Sequence, residues 1–192
     1  MKKKLLILLT ILVFISLLFD KQVSLLINFD SAFLSIISSV SISLINQFTL
    51  LIISFLITKI KQWKTVIPLF FFLGVMFMLF KFIIQRQRPF EVLDLVIIKN
   101  IDYDFASWNT SFPSWHTATL AMLIPFVEKD KVRIIILCTL IFFISFSRLF
   151  AGIHYLSDVL FGLLIGYLIG YFAKKYSQKI NFFKDSWTWF LQ

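Results

Sequence analysis

At 192 residues, 59% of them hydrophobic and 25 of them phenylalanine, the chain carries more apolar surface than a soluble domain of this size can hide, and a mean hydropathy of +0.90 points to an integral membrane protein. The net charge of +9 does not indicate a nucleic-acid binder, because Lys and Arg sit at the ends of apolar runs instead of clustering on a soluble motif. The single Cys138 excludes an internal disulfide, has no metal-ligand spacing around it, and reads as a small core residue.

Apolar runs cover 5–19, 44–58, 65–85, 116–127, 134–150 and 155–173, enough for about six spans at roughly 20 residues each. Helix is the expectation for each, since lipid leaves backbone polar groups no outside partner and the short alternating strands of a barrel are absent. The first run follows a basic start, like a signal peptide, but lacks a small-residue cleavage site and reads as an uncleaved anchor extending toward Phe29. Between the first two runs, Phe33, Ile36, Ile37 and Val40 recur at helical spacing among serines. That segment is either a helix lying in the interface or the start of a longer second span. The fourth run is short and is expected to continue through Glu128 to Lys131. Gly162, Gly166 and Gly170 form a small-residue stripe on the last run, read as close packing within the chain, with dimerisation as the alternative. The aromatic tail holding Trp187 and Trp189 suits an interfacial belt.

Loop charge divides the chain in two. The N-terminus, 59–64, 128–133 and the residues after 173 hold 13 Lys/Arg and 3 Asp/Glu; the segments 20–43, 81–115 and 148–158 hold 6 and 7. The first set, with both termini, is therefore expected in the cytoplasm and the second outside. The loop between 91 and 112 is expected to shape an entrance, and Asn109 opens a formal glycosylation sequon within it.

Three polar pieces fall on the outer side. In "KFIIQRQRP", Lys81 and Arg88 lie two helical turns apart, and Pro89 is expected to end the helix. In "SFPSWHT", Ser114 is an N-cap candidate with His116 in the first turn behind it, and a helix N-terminus attracts anions. In "SRLFAGIHYLSD", Gly152 suits a turn, Arg148 ends the preceding span, and His154 and Asp158 stand four apart at the start of the last helix. A carboxylate there can hold one imidazole nitrogen and leave the other as nucleophile or base. Taken singly, the pieces also fit snorkelling basic residues, an ordinary helix cap and a buried ion pair. Together they are the parts of a phosphoryl-transfer site.

The combined pattern K-x6-R-P, P-S-x-H and S-R-x5-H-x3-D resembles the type 2 phosphatidic acid phosphatase family, which includes lipid phosphate, undecaprenyl pyrophosphate, phosphatidylglycerophosphate and lipid A phosphatases. The match covers Lys81 to Asp158 and the layout around it. The resemblance implies an all-α, six-span membrane bundle. Residues 1–192 would be one membrane-embedded phosphatase domain, its active site at the outer membrane–water interface of the plasma membrane (the inner membrane of a bacterium). It implies that His154 attacks phosphorus, that Asp158 orients His154, and that His116 protonates the leaving oxygen. Lys81, Arg88, Arg148, Ser114 and the backbone N–H of Trp115 would hold the phosphate. No metal or other cofactor is required, and the partners are a lipid phosphate and the bilayer, with no nucleic acid and no obligate protein. Trp115 stands where the family usually has glycine, and its ring is expected to turn away from the phosphate, toward lipid. A phosphotransferase using the same phosphohistidine remains the alternative; a transporter fits poorly, because the spans are nearly free of charge.

The charge asymmetry makes a direct prediction about sidedness. Single cysteines near Asn109 and near Gln62, on a Cys138→Ser background, should differ in intact cells. An impermeant thiol reagent should label the first and spare the second; labelling at Gln62 alone would reverse the topology.

Overall fold

The computed structural model describes residues 2–29, 31–44, 46–93, 95 and 110–190, and all secondary structure among them is helical. The order is α1 (Lys2–Ile27), α2 (Ala32–Leu44), α3 (Gln47–Ile57), a 3₁₀ turn at Ile60–Gln62, α4 (Trp63–Ile84), the single turn α5 (Pro89–Val92), α6 (Trp115–Val127), α7 (Lys131–Phe150) and α8 (Leu156–Phe190). Four stretches are long and apolar enough to cross a membrane: Leu6–Ile27, Ile60–Val92, Lys131–Phe150 and Leu156–Ser177. The apolar helices α3 and α6 have only 11 and 13 residues. At 1.5 Å per residue they reach about 17 and 20 Å, short of a hydrocarbon layer of about 30 Å. Of the six expected spans, four are therefore met by length, and two shorter helices stand at the positions of the others.

Local chemistry sets the breaks. Asn46 caps α3 by accepting from Thr49 N at 3.0 Å, and Asp130 caps α7 by accepting from Arg133 N at 3.2 Å. The segment after the first span is a helix of its own, α2, and not part of a longer second span. The helix carrying Lys81 ends at Ile84, earlier than Pro89 would require. Gln85 adopts a left-handed conformation (φ 47°) and donates its N–H to the Lys81 carbonyl at 3.1 Å. Lys81 and Arg88 thus do not share a helix. Likewise α6 stops at Val127, with a turn at 128–129, and does not run on to Lys131.

Two other expectations change. Cys138 is exposed and not in the core, because it shares the outward face of α7 with Ile135 and Phe142. The last helix continues beyond 173 to Phe190. The side chains of Trp187 and Trp189, most of the entrance loop (94 and 96–109) and Asn109 lie outside the described residues.

The core is built around α6, where Ala118, Leu120, Ala121, Met122 and Leu123 are wholly buried. Its closest neighbour is α8. A Cβ at Gly162, Gly166 or Gly170 would fall 2.6, 2.2 or 2.1 Å from the carbonyl oxygens of Ser114, Ala118 and Met122. Both sets step by four residues, so one row of α6 backbone lies against the glycine row of α8. The stripe is an intrachain seam.

A methyl group in that seam has to move backbone. Gly166→Ala should lower the melting temperature in detergent by about 2–10 °C, the equivalent of about 1–3 kcal/mol of overpacking, and should reduce activity as the two helices part. An unchanged melting temperature and activity would mean that the helices do not touch there.

Candidate active site

The seam brings the beginnings of α6 and α8 together: Ser114 N donates to the Asp158 carbonyl at 3.1 Å. The end of α4 and the end of α7 arrive at the same place. Arg88 donates to the Ile153 carbonyl at 3.1 Å, and Ile153 N and His154 N approach the Arg148 carbonyl at 3.1 and 3.4 Å. Gly152, with φ 67°, makes the turn between α7 and α8, and its carbonyl accepts from Phe90 N at 3.1 Å. The other end of the bundle is tied separately, through Gln62 Nε2 to the Phe126 carbonyl at 3.0 Å and Arg133 to the Ile57 carbonyl at 3.1 Å. Lys59, Lys61, Lys129, Lys131, Arg133 and Lys174 surround a groove there. The 22-residue α4 separates the two ends by about 33 Å.

His154 lies in the turn before α8, not within the helix as its spacing to Asp158 had suggested, and is 4% exposed. Its Nδ1 is 3.7 Å from Asp158 Oδ2, an ion-pair distance and too long for a hydrogen bond. Burial pushes its pKa from 6.5 down to about 4; Arg88 and Lys81 push the same way, and Asp158 opposes them. The imidazole is therefore neutral near pH 7, with a lone pair available on one ring nitrogen.

Asp158 is completely buried but is not committed to His154 alone. Its Oδ1 accepts from Arg86 Nη1 at 2.6 Å, and its Oδ2 accepts from Tyr155 N at 2.8 Å. Arg86 continues through Nη2 to Asp20 Oδ2 at 2.7 Å, and its guanidinium lies 4.0 Å above the Tyr155 ring. Asp20 in turn accepts from Ser157 N at 2.9 Å, and the Ser157 hydroxyl donates to the same carboxylate.

The other candidate groups lie at the same end of the bundle. Arg88 and Arg148 are each 3% exposed. Lys81 is partly buried and donates to the Thr110 carbonyl. Ser114 occupies the N-cap of α6, but its hydroxyl meets Thr117 Oγ1 at 3.1 Å and does not bond a backbone N–H, so the helix start carries no side-chain cap. His116 is half-buried in the first turn. Trp115 corrects an expectation: its ring turns inward, not toward lipid. It packs edge-on against Phe70 and Phe77, with centroids at 5.5 and 5.7 Å, and a Cβ on Gly74 would lie 3.0 Å from Trp115 Cη2. The missing side chain of Gly74 provides the room, and only the backbone of Trp115 remains near the helix start.

Arg86, Asp20 and Ser157 were not singled out in the sequence. Arg86 is hidden inside the K-x6-R-P spacer, and Asp20 stood at the end of an apolar run as one more loop charge. A carboxylate at the edge of a span was the available signal, since such groups are costly without a partner.

Comparison with known proteins agrees with this architecture. A crystal structure described as the first transmembrane PAP2 type phosphatidylglycerolphosphate phosphatase from Bacillus subtilis superposes with a TM-score of 0.65 at 21% identity, covering 91% of this chain and 96% of that one. The likeness is one of fold. No curated protein matches the sequence. The family model of the PAP2 superfamily matches residues 64–182, which is more than half of the chain and includes all three polar motifs, so this multi-pass membrane protein belongs to the PAP2 superfamily.

Proposed function

We propose that the chain is a lipid phosphatase, acting as one membrane-embedded domain that removes a terminal phosphate from a lipid head group through a phosphohistidine. The observation that carries this reading is a buried His154 beside Asp158, at the bundle end that also carries Lys81, Arg88 and Arg148. A phosphate monoester brings nearly two negative charges near neutral pH, and three cations neutralise it with charge to spare for the transition state.

With Nδ1 toward Asp158, Nε2 of His154 is the attacking atom. Its lone pair forms the N–P bond while the bond from phosphorus to the lipid oxygen breaks, and His116 gives that oxygen a proton. Water then attacks phosphorus, losing a proton to His116, and the N–P bond breaks to release inorganic phosphate and neutral His154. Lys81, Arg88, Arg148, Ser114 and the uncapped N–H groups from Trp115 onward hold the phosphate oxygens. The cations do the work of a metal, and no other cofactor enters. Among the described residues, Asp158 and Asp20 are both bound to Arg86, and Glu91 accepts from Arg88 N at 2.8 Å.

The site end faces the exterior of the plasma membrane, because the basic groove at the opposite end suits the cytoplasm. There a lipid can present its phosphate while its tails stay in the bilayer. The substrate class is a phosphate monoester or pyrophosphate lipid. Phosphatidylglycerophosphate, after the Bacillus subtilis relative, belongs in a panel with phosphatidate, undecaprenyl pyrophosphate and lipid A.

The test is release of phosphate from that panel by the purified protein in chelator. Activity should persist without divalent metal. His154→Ala should abolish it. His116→Ala should slow a poor leaving group by about 10²–10⁴-fold yet spare a very good one, which needs no proton. Because the His154 pKa lies below its ordinary value, protonation should not switch off the nucleophile until the pH falls well below 6.5. Turnover that survives His154→Ala, or that needs added magnesium, would contradict the reading.

A further inference from the structure

We infer that Asp20, on α1 and outside residues 64–182, is a positioning residue for the catalytic dyad: through Arg86 and Ser157 it fixes the Asp158 carboxylate against His154. The inference rests on the reading of His154 as nucleophile.

The geometry is a chain of charge-assisted bonds. One guanidinium spans two buried carboxylates, with Nη1 on Asp158 and Nη2 on Asp20. Arginine can do this because its donors diverge in a rigid plane; a lysine ammonium could not keep both partners in register. The same Nη1 also reaches Ser157 Oγ at 2.7 Å, and Ser157 is bonded twice to Asp20. The result is a closed ring of three side chains fastened to the first turn of α8, one residue before Asp158. Asp158 cannot rotate toward or away from His154 without breaking its bonds to Arg86 Nη1 and Tyr155 N, and the ring holds Arg86 in place.

Helix α1 is shaped for this contact. Ser16, Asp20 and Ser24 recur every four residues and are all nearly completely buried, so one polar stripe of a lipid-exposed helix faces inward. Ser24 is satisfied on its own helix by the Asp20 carbonyl at 2.8 Å, which leaves the Asp20 carboxylate as the group on this stripe that reaches across to Arg86 and Ser157. Behind Asp158, Asp20 balances the charge of Arg86, so Asp158 keeps its own negative charge toward the imidazole. Without Asp20, Arg86 would pair with Asp158 alone and draw it away from the imidazole. Arg86 is 24% exposed and lines a cavity of about 470 Å³ with Asp20, Lys21 and Tyr155. Water can therefore enter beside it, and loss of one charge need not unfold the protein.

The charged groups acting on His154 itself are Asp158, Arg88 and Lys81. The Asp20 carboxylate bonds Arg86 and Ser157, so its effect on His154 passes through Arg86 and Asp158.

The experiment uses the full-length protein in nanodiscs. Asp20→Asn should lower the rate of phosphoenzyme formation by about 10-fold to 100-fold, the range for a buried hydrogen bond to a charged partner, with KM changed by less than about threefold. The chain has two histidines, so ¹⁵N-histidine NMR resolves His154 with a His116→Gln control. In Asp20→Asn the His154 titration should move to lower pH, because the local charge becomes more positive. Arg86→Met should be severely impaired, and adding Asp20→Asn should partly restore it by removing a carboxylate left without its cation. If Asp20→Asn does not fold, Ser157→Ala loosens the same ring without altering charge and should slow phosphoenzyme formation by about threefold. Unchanged phosphorylation and titration in a folded Asp20→Asn protein would overturn the inference while leaving His154 as nucleophile. A phosphoryl group on another residue of the unaltered protein would remove the site reading, and this inference with it.

Discussion

The approach of α8 to α6 is the constraint from which the candidate site follows. Glycines at 162, 166 and 170 remove three side chains from one row of α8, and the backbone of Ser114, Ala118 and Met122 fills the space. In lipid no hydrophobic force drives helices together, so close backbone contact and dispersion must do so. The seam also sets a register. It places Ser114 N against the Asp158 carbonyl, and thereby the motif that opens α6 beside the motif that opens α8. Trp115 contributes from the other side of α6. Its ring sits over Gly74 between Phe70 and Phe77, wedging α6 against α4, the helix that carries Lys81. The ring that stands where the family usually has glycine is used as packing.

Electrostatics at this end of the bundle follows from burial. Arg88, Arg148, His154 and Asp158 are almost without solvent, and buried charge is tolerated only where partners surround it. Asp158 meets that condition by bonding Arg86 and Tyr155 N, which leaves His154 at 3.7 Å instead of within hydrogen-bond reach. The imidazole is desolvated and faces cations, which favours its neutral form. The charge that would hold a phosphate and the neutrality that the proposed nucleophile requires therefore come from one arrangement.

Much of this was legible in the sequence, for identifiable reasons. Apolar runs in lipid can hardly be anything but helix, so their positions emerged from hydropathy, and a glycine every four residues announced a seam. The three polar motifs stood out because charge beside a span is costly. Helix ends were read less well. The left-handed turn at Gln85 stops α4 before Pro89, and a glutamine carries no signal for that conformation. Tertiary partners were the least visible. Asp20 and Arg86 lie 66 residues apart and meet only once α1 has packed, and nothing in the sequence said that Gly74 would make room for Trp115. Cys138 was misjudged because in a membrane bundle an apolar residue is as much at home facing lipid as facing the core.

In the proposed reaction His154 donates the electron pair to phosphorus, and the ends of the bundle's helices form one phosphate pocket around it. A structure of the protein with bound vanadate tests this most directly, since vanadate takes on the five-coordinate geometry of the transferring phosphorus. Vanadium should be bonded to His154 Nε2, its oxygens held by Lys81, Arg88, Arg148 and the start of α6, with His116 at the apical oxygen opposite. Vanadate bonded to another residue, or lodged away from His154, would contradict the proposed reaction.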